Sequence, residues 1–378
     1  MKAQERTWAE ISLENVLYNY CALRGRLRKG AGVLGVVKAD AYGHGALPIA
    51  RLLEKNGCEY LAVATVEEAV KLRCGGITSP ILILGFTPPS ETETLIEFGI
   101  TQTISSLQAA KDMSEKAALS GKRLKIHLKA DSGMGRLGII CHGGRDAVPE
   151  MMEIMSLPGL ETEGIFTHFA ESETESGDYT DMQLEAFTSL YKSLETISGG
   201  RFKIRHCANS GAMINYEETH LDMVRLGIVL YGCYPGGKAF GGIELKAAME
   251  FRTRITQIKE LEPGWSVSYG RKYLAPAARR VAVINAGYAD GLHRAASGKI
   301  DFLLHGKRVH QIGNICMDQC MIDISDVSEA SVGDVVTLFG YDGDGYISVE
   351  EMAAAAGTIS YEILCSVSGR VPRVYAQS

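Results

Sequence analysis

No stretch of this 378-residue chain approaches the roughly 18 consecutive apolar residues that a membrane-spanning helix needs. The opening, "MKAQERTWAEISLENV", carries no apolar core of signal-peptide length. Positive charge is not in excess: 39 Lys and Arg stand against 45 Asp and Glu, for a net charge of −6 and a pI of about 5.9. That argues against nucleic acid or an anionic membrane as a partner. The nine cysteines include no CxxC pair. Cys316 and Cys320 share "CMDQC", but no second pair or histidine cluster completes a ligand set, so no metal is expected. Scattered thiols in odd number fit a reducing compartment, and a cytoplasmic location is expected. Internal repeats and low-complexity tracts are missing as well. What remains is an ordinary globular composition, 46% hydrophobic and 22% charged, at a length that suits two domains.

The first two-thirds of the chain alternates two patterns. Short β-rich runs occur at "GVLGVVKAD", "YLAVAT", "PILILGF", "TQTIS", "LKIHLKAD", "TEGIFTHFA", "KIRHCANS" and "DMVRLGIVLYG". Helical stretches separate most of them. In "DMQLEAFTSLYKSLETISGG" the spacing puts Leu184, Phe187, Leu190 and Tyr191 on one face, and glycines end the helix. Eight strands with intervening helices predict an α/β fold, an N-terminal (β/α)8 TIM-like barrel, with an open doubly wound sheet as the competing arrangement. Near "PGGKAFGGIELKAAMEF" the pattern changes, and strands dominate afterwards. The expected organisation is a barrel domain over residues 1–243 and a C-terminal mostly-β domain over 244–378. The first ten or so residues are expected to pack with the latter.

The polar residues of the barrel fall at strand ends. Lys38 and Tyr42 follow the first strand, in "VVKADAYGHG", and Arg136 follows the fifth. His168 ends the sixth, Asn209 and Ser210 end the seventh, and Arg225 lies in the eighth, just before Gly227. In a parallel barrel these ends open onto one face, where barrel enzymes build their sites. A lysine at a strand end can be a structural cation, a phosphate binder or a covalent nucleophile. Ser210, Gly211 and Gly227 supply a hydroxyl and unobstructed amides at the usual phosphate position of barrels. A lysine and a phosphate site on one rim make pyridoxal 5'-phosphate the natural candidate, since its aldehyde takes an amine and its phosphate takes an anchor. Sugar phosphates suit the same geometry. One further pattern, "YDGDGYISVEEM", resembles a calcium loop, but Gly340 stands where its first ligand belongs, and a turn is expected instead.

Taken together, the ordered motifs "TWAEISLENVLYNY", "VVKADAYGHG", "HLKADSGMGRLG", "THFA", "HCANSGA", "VRLGIVLYG", "VSYG", "GYADG", "GNICMDQCMID" and "GTISYEILCSVSGRVPRVY" resemble the alanine racemase family of fold-type III pyridoxal-phosphate enzymes over nearly the whole chain. The resemblance implies a homodimer with shared sites that interconverts L- and D-alanine and supplies D-alanine for peptidoglycan. Lys38 would carry the cofactor and act as one base. Tyr269 would be the second, donated across the dimer interface. Tyr42, Ser210, Gly227, Ile228 and Tyr361 would hold the phosphate, and Arg225 would face the pyridine nitrogen. Arg136 would sit near the phenolic oxygen and the substrate, supported by His168 and Asn209. Lys129 matches a lysine often carbamylated in the family, where it orients the arginine matching Arg136. Met317 would meet the substrate carboxylate through its backbone amide, and Tyr288 and Tyr361 would line the entry and pocket.

Two positions depart from the family pattern: Asn314 stands where Arg is usual, and Asn285 where Pro is common. Both lie near segments expected at the site's mouth. Tyr361, by contrast, keeps the residue that favours alanine over serine. The alternatives are a serine racemase, a decarboxylase of the same fold type, and a non-catalytic pyridoxal-phosphate carrier. Arg225 argues against decarboxylation, whose barrel enzymes use an acidic partner there. Carriers lack the second domain that holds Tyr269 and Met317.

Overall fold

The computed structural model describes residues 6–174, 177–237 and 242–375. Residues 238–241, within the glycine-rich stretch at the expected domain boundary, lie outside the described residues, as do residues 1–5.

The chain begins with β1 (Thr7–Ile11) and then enters the barrel. Its strands are β2 (Gly32–Val36), β3 (Tyr60–Val63), β4 (Ile81–Ile83), β5 (Ile100–Ile104) and β6 (Leu124–Asp131). A short addition, β7 (Ile139–Ile140), pairs with the end of β6. The series continues with β8 (Leu160–Phe166), β9 (Ile204–His206) and β10 (Met223–Leu226). Apart from β7 these pair in parallel in sequence order, and β10 returns to lie beside β2. Backbone bonds from Asp222 N to Arg205 O (3.1 Å) and from Arg225 N to Ala208 O (3.0 Å) link β9 to β10. The sheet therefore closes on itself and is not an open doubly wound one. Strands enclosed on both sides read as near-continuous Val, Ile and Leu runs, and β2 to β5 are buried at every position. Helices cover the outside. The longest, Asp178–Ser198, buries Phe187, Leu190, Tyr191 and Leu194, with Leu184 half-buried beside them.

The second sheet is built from β11 (Met249–Leu261), β14 (Arg279–Ile284), β15 (Asp301–Leu304), β16 (Lys307–Ile312), β17 (Cys320–Asp323), β18 (Val335–Asp342), β19 (Gly345–Ile347) and β20 (Arg373–Tyr375). The N-terminal β1 belongs here too, antiparallel to β11 and parallel to β20. Between β11 and β14, the two-stranded β12 (Ser266–Val267) and β13 (Tyr273–Leu274) bracket the turn that carries Tyr269. The calcium-like stretch is the β18–β19 hairpin, with Asp342 paired to Gly345, running into the helix Val349–Ala356.

The first barrel strand ends at Val36, so Lys38 and Tyr42 follow it, as the sequence predicts. Ala39, Asp40, Ala41 and Tyr42 then take φ values of 52°, 53°, 55° and 53°, a left-handed turn. Each such L-residue costs about 1–2 kcal/mol relative to the right-handed form. Side chains hold the turn in place. Glu68 accepts from Ala39 N (2.6 Å) and Ala64 N (2.7 Å), Asp40 accepts from Ala46 N (2.8 Å), and His44 Nδ1 bonds Ala41 O (3.0 Å). The turn places Lys38 and Tyr42 on one cavity.

Candidate active site

The C-terminal ends of the barrel strands open into a cavity of about 590 Å³. Lys38, Tyr42, Lys129, Arg136, His168, Asn209, Ser210, Arg225, Gly227, Ile228 and Tyr361 all line it. Tyr361 arrives from the second domain, on the helix Ser360–Ser366. Tyr42 packs between Tyr231 (ring centroids 5.1 Å) and Tyr361 (6.0 Å), and Tyr231 donates to Val36 O (2.9 Å), which fixes the base of the lysine turn.

On one side of the cavity lie small residues and hydroxyls. Gly227 N donates to Ser210 Oγ (3.0 Å), and a Cβ at Gly227 would come within 2.9 Å of the Tyr42 hydroxyl and 3.6 Å of Ser210 Oγ. A side chain at residue 227 would therefore fill the recess these hydroxyls border. Asn209 is an anchor rather than a lining group alone: its Oδ1 accepts from Ala212 N (2.9 Å) and Ser172 Oγ (2.7 Å), capping the short helix Ser210–Asn215.

Cations crowd the cavity as well. Arg225, 3% exposed, donates to the carbonyls of Cys207 (2.8 Å) and Thr167 (3.0 Å) and to His168 Nδ1 (3.0 Å). Burial pulls its pKa down to about 10. A guanidinium only donates, so His168 Nδ1 accepts, and neutral His168 carries its proton on Nε2. Burial and then the Arg225 charge keep His168 well below the usual histidine range, which is to say neutral. Burial first, and next the nearby Arg136 charge, lower the Lys38 pKa. Lys129 is buried with its Nζ lacking any hydrogen-bond partner among the described residues, 4.5 Å from the centre of the Phe166 ring. Burial, Arg225 and Arg136 together push its pKa well below that of a free lysine.

Tyr269 and Met317 do not line this cavity within the same chain. They border a separate, open groove of about 880 Å³ with Cys316 and Asp318. Tyr269 is 71% exposed, and Met317 and Tyr288 are exposed as well. The Tyr269 turn is tied down through its backbone: Asn314 Nδ2 donates to Tyr269 O, and Ser268 Oγ donates to Asn314 O, both at 2.6 Å. Ser268 itself sits at φ +65°, strained for a residue with a side chain. The departure at Asn314 thus has a local role. Asn285, the other departure, accepts from Thr7 Oγ1 through its carbonyl (2.5 Å), so its backbone meets β1. Sequence reasoning missed Glu68, which pins the lysine turn, and Phe166, whose ring lies beneath Lys129 and 5.5 Å from Arg225. It also missed the buried Asp290, which accepts from Arg6 (2.7 Å), Arg370 (2.8 Å) and Gly287 N (2.9 Å) and so braces the loops of Tyr288 and Met317.

Comparison with known proteins draws these features together. Residues 11–235 match the family model "Alanine racemase, N-terminal domain", and residues 248–375 match "Alanine racemase, C-terminal domain". The chain is 42% identical to an alanine racemase of Desulfosudis oleivorans, covering 97% of this chain and 96% of that one. It is 43% identical to an alanine racemase of Clostridium tetani, over 97% and 95%. Among solved structures, the alanine racemase of Clostridium difficile 630 superposes with a TM-score of 0.92 at 40% identity, covering 98% of this chain and 96% of that one. The alanine racemase of Bacillus anthracis with bound L-Ala-P gives a TM-score of 0.91 at 34% identity, over 99% and 95%. Two family models in chain order, and identity of this level over nearly the full length of each relative, show that the chain belongs to the alanine racemase family.

Proposed function

We propose that this amino-acid racemase holds pyridoxal 5'-phosphate on Lys38 and moves the α-proton of alanine between two bases, Lys38 and Tyr269 of the partner subunit. The activity itself, interconversion of L- and D-alanine, follows from membership of the family. The observation that carries the mechanism is the convergence of Lys38, the hydroxyls around Gly227, and Arg225 on one cavity. When bound, pyridoxal 5'-phosphate supplies an aldehyde for an amine and a ring that takes up the electron pair left on a deprotonated α-carbon. The cavity fits such a group: the recess at Gly227 suits a phosphate, and Lys38 lines the same cavity.

The chain's residues divide the remaining work. Tyr42, Ser210, Gly227, Ile228 and Tyr361 would hold the phosphate. Lys38, its pKa lowered by burial and Arg136, has more of the free amine that a base requires at neutral pH. Arg225, which donates and holds its own proton, would face the ring nitrogen and leave the ring a modest electron sink, which would favour racemisation over competing reactions. His168, neutral and with Nε2–H free of Arg225, is a donor available to the hydroxyl of the partner's Tyr269. The Met317 amide receives the substrate carboxylate. Lys129 Nζ, buried and without a hydrogen-bond partner among the described residues, would add as the free amine to carbon dioxide and release one proton to solvent, and the resulting carbamate would give Arg136 a counter-charge that orients it. A second chain covers the groove of Tyr269 and Met317. An exposed base cannot exclude water, and within one chain Tyr269 and Met317 are exposed on the groove they border. Residues 1–243 and 244–378 then serve as cofactor-binding and base-donating units, with β1 contributed to the latter. The product D-alanine would serve peptidoglycan synthesis. No helix among the described residues is long and apolar enough to cross a membrane.

The test is chemical. Borohydride reduction of the purified protein, then peptide mapping, should place the cofactor on Lys38; label on any other lysine refutes the assignment. The pocket also sets a preference. Tyr361 is half-buried beside Tyr42, and Tyr361→Asn should raise turnover of serine relative to alanine. A methylene-sized difference in a pocket is worth roughly 1–3 kcal/mol, so the wild-type preference for alanine should be about ten- to two-hundredfold. Equal wild-type rates on the two amino acids would show that Tyr361 does not set the pocket.

A further inference from the structure

Behind the cavity, inside the barrel, lie three buried polar side chains with no part in the chemistry above: His206, His127 and Glu163. They connect to it through Arg225, a buried cation that forms no ion pair with a carboxylate among the described residues; its partners are carbonyls and imidazoles. Arg225 Nη1 donates to His206 Nδ1 at 3.1 Å. A guanidinium has no acceptor, so the neutral His206 carries its proton on Nε2. That nitrogen lies 3.0 Å from His127 Nδ1, which must accept in turn, leaving the His127 proton on Nε2. His127 Nε2 has no hydrogen-bond partner among the described residues and lies 3.7 Å from Glu163 Oε2. Glu163 also accepts from the Tyr60 hydroxyl (2.9 Å) and from the exposed Lys203 (3.2 Å). Every donor in this series points the same way, from the arginine towards the carboxylate.

The backbone is shaped for this. Along β6 and β8 the register runs Ile126 to Thr162 and then His127 to Gly164, so Glu163 is an extra residue, a bulge. Bulges turn a side chain away from the face that strand alternation would give it. Gly164 is needed beside it, since a Cβ there would stand 2.9 Å from His127 Nδ1 and 2.7 Å from Ile204 O. Phe166 stacks on His206 with centroids 4.6 Å apart and planes 9° from parallel, which fixes the ring that links the two halves.

We infer that Glu163, acting through His127 and His206, is the remote counter-charge of Arg225 and a positioning residue for racemisation. A buried charge without compensation is costly, and oriented dipoles in a low-dielectric interior carry a carboxylate's influence further than water would allow. The His127 imidazole and the Tyr60 hydroxyl hold the Glu163 carboxyl down to about 2, so its charge persists at neutral pH. Burial keeps both histidines neutral. The groups facing them are Arg225 and Lys129 on the cavity side and Glu163, with its partners Tyr60, Lys203 and the exposed Lys125 (3.9 Å), on the other. The consequence for catalysis rests on Arg225 facing the bound cofactor; the series of bonds does not.

The test uses full-length protein labelled with nitrogen-15 at histidine, with His127→Gln and His206→Gln for assignment. Both histidines should be neutral and protonated on Nε2 from about pH 6 to about pH 9. Glu163→Gln keeps an acceptor but removes the charge. It should move the His206 Nδ1 resonance, although the two residues do not touch. It should also lower kcat about tenfold, as loss of a partner behind a site-lining group does, with KM within about twofold. Tyr60→Phe, which keeps the charge, should leave both readings near wild type. A histidine protonated on Nδ1 or charged in that range overturns the inference even if no variant folds. An unmoved His206 resonance overturns it too, as does a moved one with unchanged kcat. Borohydride labelling of Lys38 is unaffected by any of these outcomes, so the cofactor reading stands or falls separately.

Discussion

Tyr269→Phe should lower racemisation in both directions by about 10²–10⁴-fold, the usual contribution of a positioned acid–base group. Each direction needs one base and one acid, so removing the phenol removes one of the two whichever enantiomer is supplied. The fold should not notice. The ring is retained, the residue is 71% exposed within its own chain, and Asn314 and Ser268 hold the turn through backbone atoms that the substitution leaves in place. Thermal stability should stay within about 0.5 kcal/mol of wild type, as for surface changes in general. Steady-state rates for both enantiomers, with a melting curve, check this. A matching loss of stability would mean that Tyr269 is structural.

Lys38→Ala should be more damaging still, because it removes a base and the point of covalent attachment together. Its more informative use is in combination. Lys38 and Tyr269 line separate cavities of one chain, about 590 Å³ and 880 Å³. If a two-fold dimer brings one chain's Lys38 to the other's Tyr269, a heterodimer of Lys38→Ala and Tyr269→Phe subunits contains one doubly defective site and one intact site. Random exchange makes half the dimers heterodimers, so mixing two inactive proteins should restore about a quarter of the wild-type sites. If subunit exchange is demonstrated and no activity returns, the sites are not shared.

Much of this was readable in the chain. Eight β-rich runs gave the barrel because strands enclosed on both sides need continuous apolar residues, which "YLAVAT" and "PILILGF" display. Barrel topology then gathers strand-end residues on one rim, which is why Lys38, Arg136, His168, Ser210 and Arg225 could be grouped without coordinates. The left-handed turn after Val36 was not readable: Ala39, Asp40, Ala41 and Tyr42 carry no signal for positive φ, and the turn exists because Glu68, Asp40 and His44 bind its backbone. The same holds for the bulge at Glu163, since "LETEGIF" looks like ordinary alternation. Tyr269 and Met317 came from resemblance alone. Nothing in their local sequence marks them as chemistry, and within one chain they face an open groove.

The central claim is that two different bases guard opposite faces of the α-carbon. Its most direct test is α-proton exchange of L- and D-alanine in deuterated water, catalysed by Tyr269→Phe. Lys38, the Gly227 recess and Arg225 are untouched in that variant, so substrate should still bind. Lys38 should keep exchanging the proton of one enantiomer, D-alanine by the family resemblance, while exchange from the other collapses. If exchange from both enantiomers falls equally while the cofactor remains bound, one mobile base serves both faces and the opposed-base account is wrong.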